Sequence, residues 1–392
     1  MTFSWLVIFM SVATGASVAN LYYNQPLLTL MAHTFHVGPA EVGIVTMLTQ
    51  IGYAAGLLLF VPLADLWERK RLIVGLFILT SFALEIVAIT PAFTPFLIMN
   101  FALGLVTVVP QVIVPVAADL ALDGSRGRVV GVVMSGLLIG ILGARTVSGL
   151  VGDWLGWPRV YQLAGILMLI FAAAMARFFP RSYPHRHTLN YTGLIRSLGP
   201  LIREEPELVR ASLTGAALFG AFSAFWTTLT FRLGTAPYHY PASVIGLFGL
   251  LGIAGASVAP VAGRAADRRD PRITITVAII LVSVAFLWMW PLSGNLWALI
   301  IGIILLDLGV QAGQISNQSR IYALRPDSRA RLNTVYMVTY FLGGSLGSGI
   351  ASWAWSLSGW KGVTLTGLAM LAGAAIVHTI SLVRQPMNRK AV

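Results

Sequence analysis

Twelve mostly apolar segments run along this chain, and they restrict its fold more than any other feature. Hydrophobic residues make up 57% of the 392 residues and charged residues only 10%, with a mean hydropathy of +0.81. Soluble domains carry about 25% charged residues, whereas a helix crosses a bilayer with roughly 20 apolar residues. The sequence therefore predicts an all-α membrane protein with 12 transmembrane helices. The predicted segments, numbered spans 1 to 12, are approximately 4–31, 41–62, 72–90, 95–117, 129–151, 160–179, 208–231, 243–262, 273–292, 295–315, 332–355 and 361–383.

The chain also repeats itself with a shift of about 202 residues. Three pairs of short motifs occupy matching places in the two halves: Val61-Pro-Leu-Ala-Asp65 with Gly263-Arg-Ala-Ala-Asp267, Ser125-Arg-Gly-Arg128 with Ser328-Arg-Ala-Arg331, and Gly156-Trp157 with Gly359-Trp360. This duplication predicts two pseudo-symmetric six-helix bundles, 1–179 and 208–392, joined by a cytoplasmic linker, 180–207. Transporters commonly place a substrate pathway between such repeats, so a carrier is expected.

The basic residues indicate how the spans are oriented. The formal net charge is +12, from 26 Lys and Arg against 14 Asp and Glu. The basic residues fall in alternate connections, at the span ends that adjoin them, or in the C-terminal tail, except four, which are Arg145, Arg159, Arg232 and Lys361. Because basic loops favour the cytoplasmic side, both termini are predicted to be cytoplasmic. The positive charge is explained by topology, so no nucleic-acid partner is expected.

The loop between spans 2 and 3 resembles a motif of the major facilitator superfamily, in particular its bacterial drug and metabolite efflux branch of 12-helix proton antiporters. The family pattern Gly-x-Leu-Ala-Asp-Arg-x-Gly-Arg-Lys corresponds here to 61–70, and the second copy keeps Gly263. Five positions of 61–70 match the pattern, and three depart from it, with Val61, Leu66 and Glu68 in place of Gly, Arg and Gly. The resemblance implies the fold of two six-helix halves, a bacterial inner-membrane location, and a gating role for this loop. The residues that would carry gating are Asp65, Arg69, Lys70, Asp267 and Arg268.

The chain departs from the family at two positions linked to proton antiport. Span 4 has Asn100 where the family often has an arginine, and span 5 has Gly143 followed by Ala144 where the family antiporters usually have a Gly-Pro pair.

Three ionisable residues lie well inside spans: Glu85, Arg145 and Asp307. A charge at the bilayer centre costs about 2.5–3.5 kcal/mol on insertion scales, so such residues are functional candidates. Equal depth and opposite sign suggest a Glu85–Arg145 pair, although the two helices need not touch. Arg145 could instead replace the missing arginine of span 4 or bind an anionic substrate.

Asp307 shares one helical face with Gln311 and Gln314, at i+4 and i+7. A carboxylate inside the membrane is a candidate proton carrier, because protonation removes its charge. The alternative is a structural aspartate that bonds a neighbouring helix.

Polar and aromatic residues in the central spans of the family fold are candidates for the substrate cavity. Amides beside aromatic rings suit a neutral or amphipathic ligand, although helix–helix hydrogen bonding explains any one of them equally well. Pro26 loosens backbone hydrogen bonding near three of them, Asn20, Tyr23 and Asn24. The candidates, besides Gln311 and Gln314, are Asn20, Tyr23, Asn24, Gln50, Tyr53, Asn100, Thr107, Gln111, Trp226, Tyr336 and Tyr340.

Glycines recur at close intervals in spans 5 and 11, the two spans that begin after the repeated Ser-Arg motif. Gly136 and Gly140 belong to the first set, and Gly343 and Gly347 to the second. Small residues at such spacing let helices approach closely in lipid. They indicate either a sliding seam between the two halves or ordinary tight packing.

The sequence favours a secondary transporter that exports small amphipathic molecules or metabolites by alternating access, with protons as the driving ion. The alternatives are an organic-anion uptake or exchange carrier that uses Arg145, and a receptor or membrane enzyme that transports nothing. A phosphate-binding loop is absent and the histidines lie in loops or a peripheral span, so no enzyme activity, cofactor or metal is predicted. The expected partners are a small-molecule substrate, protons and the lipid bilayer, and the protein is expected to be a monomer.

Overall fold

A computed structural model describes residues 3–122, 125–183, 190–252, 270–325 and 328–384, and their regular secondary structure is helical. Among these residues, ten continuous stretches are long and apolar enough to cross a membrane. The last stretch, Arg329–Val383, holds two spans, because the backbone is non-helical at Ser358 and Gly359. Eleven of the twelve predicted spans are therefore present, and much of span 8 falls outside the described residues. The all-α membrane fold is confirmed.

The first six spans are nearly continuous helices. They are Phe3–Ala19 with Asn24–Phe35 (span 1), Pro39–Phe60 extended by a 3₁₀ turn Val61–Asp65 (span 2), Arg69–Ile89 (span 3), Phe93–Val106 with Val109–Leu120 (span 4), Arg126–Leu155 (span 5) and Trp157–Phe178 (span 6).

The remaining helices follow two short pieces of the predicted linker. Those pieces are Tyr191–Arg196 and Leu198–Glu204, followed by Pro206–Gly234 (span 7), Ala242–Leu247 with a 3₁₀ turn Phe248–Leu250 (the start of span 8), Pro271–Met289 (span 9), Leu296–Leu324 (span 10) and Arg329–Arg384 (spans 11 and 12). Span 10 is longer than predicted, so Arg320 belongs to the helix and not to a basic loop.

Span 1 is interrupted close to Pro26, where the sequence predicts weakened backbone hydrogen bonding. The first helix ends at Ala19, and the amides of Leu21 and Tyr22 bond carbonyls three residues back, in tight turns. Pro26 has no amide hydrogen to continue the helical ladder. Polar side chains at Asn20 and Asn24 therefore stand at the only interruption within this span.

The described chain divides into two compact units. The first contains Met1–Gly38, Ile44–Arg196 and His239–Leu250, and the second contains Pro39–Gly43, Ser197–Tyr238 and Leu251–Val392. The start of span 8 thus packs within the first unit, against span 5.

The sequence repeat is visible in how helices touch within each unit. A Cβ atom on Gly140 of span 5 would lie closer than 3.0 Å to the backbone of Gly15 in span 1. A Cβ atom on Gly343 of span 11 would meet the backbone of Ala216 in span 7 in the same way. Spans 1 and 5 therefore approach as closely as spans 7 and 11, and in both cases glycine permits the contact. These glycines pack helices inside a unit, so the alternative of ordinary tight packing holds for them.

Candidate functional site

Asn24 joins spans 1 and 2 at the interruption of span 1. Its Nδ2 donates to Thr49 Oγ1 at 3.4 Å, and Thr46 Oγ1 donates to its Oδ1 at 3.3 Å. All three side chains are buried. These hydrogen bonds are long, since the usual N–H···O distance is about 2.9–3.0 Å. The amide of Asn24 is therefore paired only weakly, whereas Thr49 Oγ1 also donates to the Val45 carbonyl at 2.7 Å.

Tyr53 of span 2 and Gln111 of span 4 form a second weak pair in the first unit. Gln111 Nε2 donates to the Tyr53 hydroxyl at 3.4 Å, and Tyr53 is almost fully buried. Gln50, one turn earlier on span 2, and Tyr23, beside Asn24, are also buried. Five of the predicted cavity residues of this unit thus lie on spans 1, 2 and 4, and one contact, Gln111 to Tyr53, joins two of them.

The other three candidates of the first unit use partners elsewhere. Asn20 directs its Nδ2 to Met168 Sδ of span 6 at 3.4 Å. Asn100 Nδ2 and Thr107 Oγ1 donate to carbonyls four residues back on their own helix, at 2.8 and 2.7 Å. The Oδ1 atoms of Asn20 and Asn100 are buried without a hydrogen-bond partner in the described chain. Each retains one unmet acceptor.

Arg145 lies in span 5 with only 2% of its surface exposed. Its Nε donates to Gln25 Oε1 of span 1 at 2.7 Å, and its guanidinium carbon lies 5.1 Å from the centre of the Tyr22 ring. Gln25 was not among the predicted site residues. The sequence pointed to Gln25 only through the Asn24-Gln25 pair before Pro26, and of this pair only Asn24 was chosen as a cavity candidate.

The structure places Glu85 and Arg145 against different neighbours. Glu85 is half-buried against span 6, where its carboxylate faces Gly165 closely enough to contact any Cβ placed there. No ion pair joins Glu85 to Arg145 within the described residues. Two residues at equal depth on two spans can lie on helix faces that do not meet. Depth alone therefore does not predict a contact between their charges.

In the second unit, Asp307 is 3% exposed on span 10. Gln311 and Gln314 follow on the same face, and Tyr340 of span 11 donates its hydroxyl to Gln314 Oε1 at 3.3 Å. The Tyr340 ring stacks on Phe219 of span 7 with ring centres 4.1 Å apart. An amide, a hydroxyl and an aromatic pair therefore meet between spans 7, 10 and 11.

Tyr336 and Trp226 are buried in the same unit. Tyr336 packs against Gly215 of span 7. Trp226 lies edge-on to Phe225, with ring centres 5.7 Å apart. Asn317, which the sequence reasoning missed, is fully buried on span 10. Its position one turn beyond Gln314 was the available signal.

The predicted gating loop contains a defined ion pair. Arg69 Nη1 lies 2.6 Å from Asp119 Oδ2 at the end of span 4, and Arg69 Nε donates to the Ala64 carbonyl at 3.1 Å. Asp65 is half-buried in the 3₁₀ turn, and Lys70 is half-buried at the start of span 3. Asp119 was not predicted, because it stands far from the loop in sequence. Asp267 and Arg268, the second-copy counterparts, lie outside the described residues.

Glu207 forms a buried charge cluster that the sequence reasoning also missed. It lies at the start of span 7, is 6% exposed, and bonds Arg320 of span 10 directly. Arg210 lies 3.2 Å and Arg272 of span 9 lies 4.0 Å from the same carboxylate, and Ser381 of span 12 donates to it. One carboxylate thus connects four spans, named here the Glu207 cluster.

Known proteins resemble this chain over nearly its whole length. A family model described as Major Facilitator Superfamily matches residues 10–319 and 212–392. YgaY of Escherichia coli (strain K12), named as a transporter, is 43% identical over 362 residues, 92% of each chain. A protein of Streptomyces coelicolor named as a transporter is 33% identical over 368 residues, 94% of this chain and 84% of the other.

The fold also matches solved structures. A bacterial homolog of the human lysosomal transporter Spinster, crystallised in an inward-facing and unoccupied conformation, superposes with a TM-score of 0.77 at 15% identity, covering 97% of this chain and 96% of the other. Together with the matched family model, these similarities identify a transporter and not an enzyme. The chain therefore belongs to the Major Facilitator Superfamily.

Proposed function

We propose that this transporter exports small amphipathic molecules or metabolites by alternating access, driven by protons. The observation that carries the proposal is a set of amides and hydroxyls buried inside the spans with unmet or long hydrogen bonds, notably Asn20, Asn24 and Asn100. A buried polar group left without a partner costs about 1–3 kcal/mol. A ligand that supplies hydrogen bonds would recover that free energy, and the adjacent aromatic rings would bind its apolar part.

Proton coupling is supported by Asp307, which is buried on span 10 beside an amide-rich face. Binding a proton would make this carboxylate neutral and allow it to change its surroundings during the cycle. Export is supported by the similarity of 61–70 to the efflux branch of the family. The basic loops support an inner-membrane orientation with both termini cytoplasmic.

The same proposal includes two six-helix halves, 1–179 and 208–392, joined by 180–207, and a monomer as the functional form. Gating is assigned to Asp65, Arg69 and Lys70, with Asp267 and Arg268 as their counterparts. The Arg69–Asp119 pair supports this assignment, because an ion pair at a helix boundary can break and re-form between states.

The experiment that tests the proposal is transport by the purified protein in sealed proteoliposomes. Compounds that raise its thermal unfolding midpoint are chosen first, since binding stabilises the folded state by mass action. We expect counterflow of a bound compound, and accumulation driven by an imposed pH gradient that a protonophore abolishes. A compound that binds but shows neither counterflow nor accumulation would instead indicate a receptor, and accumulation that ignores the pH gradient would exclude proton coupling.

A further inference from the structure

We propose that Arg145, Gln25 and Tyr22 form a carboxylate-binding site, so that the transported amphipathic molecules carry a carboxylate group. The inference rests on the proposed transport function and narrows its substrate class. It gives a role to Arg145, the one basic residue deep inside a span, which the amide-rich residues of the proposed cavity leave unexplained.

Three neutral groups of the first unit contact the guanidinium. Arg145 Nε donates to Gln25 Oε1 at 2.7 Å, Nη1 lies 3.5 Å from the Ile141 carbonyl, and the Tyr22 ring lies 5.1 Å away. An amide oxygen, a carbonyl and an aromatic face attract the cation without adding a negative charge. The site therefore combines a positive charge with an aromatic wall.

Gln25 supplies the second and independent observation. Its side chain is 2% exposed, and because its oxygen is turned to Arg145, its Nε2 donor is buried without a hydrogen-bond partner in the described chain. An unmet donor beside a guanidinium favours a group rich in hydrogen-bond acceptors. An ionised carboxylate is such a group, and its two oxygens match the planar fork of arginine.

Other ligand classes fit these residues less well. A cationic group would be repelled by the guanidinium, and a primary amide would bring donors of its own to a place that already has them in excess. A carboxylate satisfies the Gln25 amide and the guanidinium together. The ring of Tyr22 then offers an apolar surface to the remainder of an amphipathic acid.

The base of the Arg145 side chain is held in place by the start of span 8. A Cβ atom on Gly249 would lie 2.9 Å from Arg145 Cβ, and one on Gly246 would contact the Arg145 carbonyl. Thr146 donates its hydroxyl to the Gly246 carbonyl at 3.0 Å. These contacts orient the guanidinium before a ligand arrives, which is the condition for specific binding. Since Arg145 is buried, entry of the ligand accompanies the helix movements of the transport cycle.

The test measures binding of matched pairs of probes to the purified full-length protein. The probes are indole-3-acetate, 4-phenylbutyrate and salicylate, each paired with its primary amide, and the readout is the ligand concentration that raises the thermal unfolding midpoint. We expect at least one carboxylate to bind at least about 10-fold more tightly than its amide. Equal binding of every pair, or no binding of any carboxylate, would overturn the proposal.

Four variants then assign the binding to this site. R145Q is expected to weaken carboxylate binding by about 10-fold or more, and R145K, which keeps the charge but loses the fork, by less. Q25M removes the unmet donor and is expected to weaken binding by a few-fold. R159Q is the matched control, because Arg159 also donates to a glutamine, Gln162, but at an exposed position.

Each variant's melting midpoint without ligand shows whether it folds. If R145Q is unfolded, R145K and Q25M decide the question, since both keep a side chain of similar size. Carboxylate affinity unchanged in a folded Arg145 variant, or lowered equally in R159Q, would contradict the assignment.

Counterflow separates this inference from the proposed function. If carboxylates bind in an Arg145-dependent way but are not transported, the site stands and the transport proposal fails. If neutral compounds are transported and no carboxylate binds or competes with them, transport stands and the carboxylate site fails.

Discussion

Arg69 at the start of span 3 and Asp119 at the end of span 4 form an ion pair of 2.6 Å that anchors the predicted gating loop. The arginine side chain is 10% exposed and the carboxylate 46% exposed. The arginine also holds the Ala64 carbonyl of the preceding 3₁₀ turn. One guanidinium therefore fixes the ends of spans 2, 3 and 4 relative to one another.

Removing the charge of Asp119 should weaken this anchor. We expect D119N to lower the free energy of unfolding by about 1 kcal/mol, because the pair is partly screened by solvent. Unfolding in mixed micelles measures the change, and a double-mutant cycle with R69Q should give a coupling of about 0.5–1 kcal/mol. R71Q is the control, since the Arg71–Glu68 pair has an exposed arginine. Fully additive effects of D119N and R69Q would mean that the pair contributes nothing.

The Glu207 cluster should be far more sensitive than a surface ion pair. E207Q removes the only acidic group that the structure shows bonded to Arg320, and breaking a buried pair costs about 3–5 kcal/mol. Replacing both partners, as in E207Q with R320M, should recover part of that loss. The comparison is E204Q, because Glu204 is 54% exposed and bonds the exposed Arg325. Similar stability losses for E207Q and E204Q in unfolding experiments would show that the cluster is not buried as described.

The matching glycine contacts predict equal effects in the two repeats. We expect G140A and G343A each to destabilise the protein by about 1–3 kcal/mol, since each added methyl group would overlap a backbone. G143A and G131A are matched controls on span 5, because nothing lies within 4 Å of a Cβ at either position. They should be neutral or stabilise the helix by up to about 1 kcal/mol. A similar loss in all four variants would argue against the close approach of spans 1 and 5.

Asp307 should separate proton coupling from transport itself. We expect D307N to retain counterflow, which needs no driving ion, and to lose accumulation driven by a pH gradient in proteoliposomes. Neutral asparagine keeps the size and polarity of the site but carries no exchangeable charge. Unchanged pH-driven accumulation would remove Asp307 from the coupling role. N317D is the variant to compare with D307N, because it adds a carboxylate on the same span where the structure has a buried amide.

Apolar segment length predicted the fold well, since segment length and helix number are set by the bilayer itself. Eleven spans appear where they were expected, and the interruption near Pro26 is present. The close helix contacts at Gly140 and Gly343 agree with the glycine spacing seen in the sequence. What composition cannot specify is the rotation of each helix about its axis, which depends on packing against neighbours.

That limitation explains the residues that were missed or misassigned. Glu85 and Arg145 were paired by depth, but their side chains leave spans 3 and 5 towards different neighbours. Asp119 bonds Arg69 and Glu207 bonds Arg320, and because these arginines are distant in sequence, no local pattern identifies those two contacts. Asn24 was selected and Gln25 was not, although only the rotation of span 1 distinguishes a contact with span 2 from one with span 5.

The absence of cysteine from the chain permits a direct test of alternating access. Single cysteines at Asn24 and Gln314 would be exposed to a membrane-impermeant thiol reagent in right-side-out and in inside-out vesicles. I166C is the control, since Ile166 is an exposed apolar residue of span 6 and its thiol would face lipid. We predict that both cavity positions react from either side, while I166C does not. Reaction from one side only, or no more reaction than I166C, would contradict it.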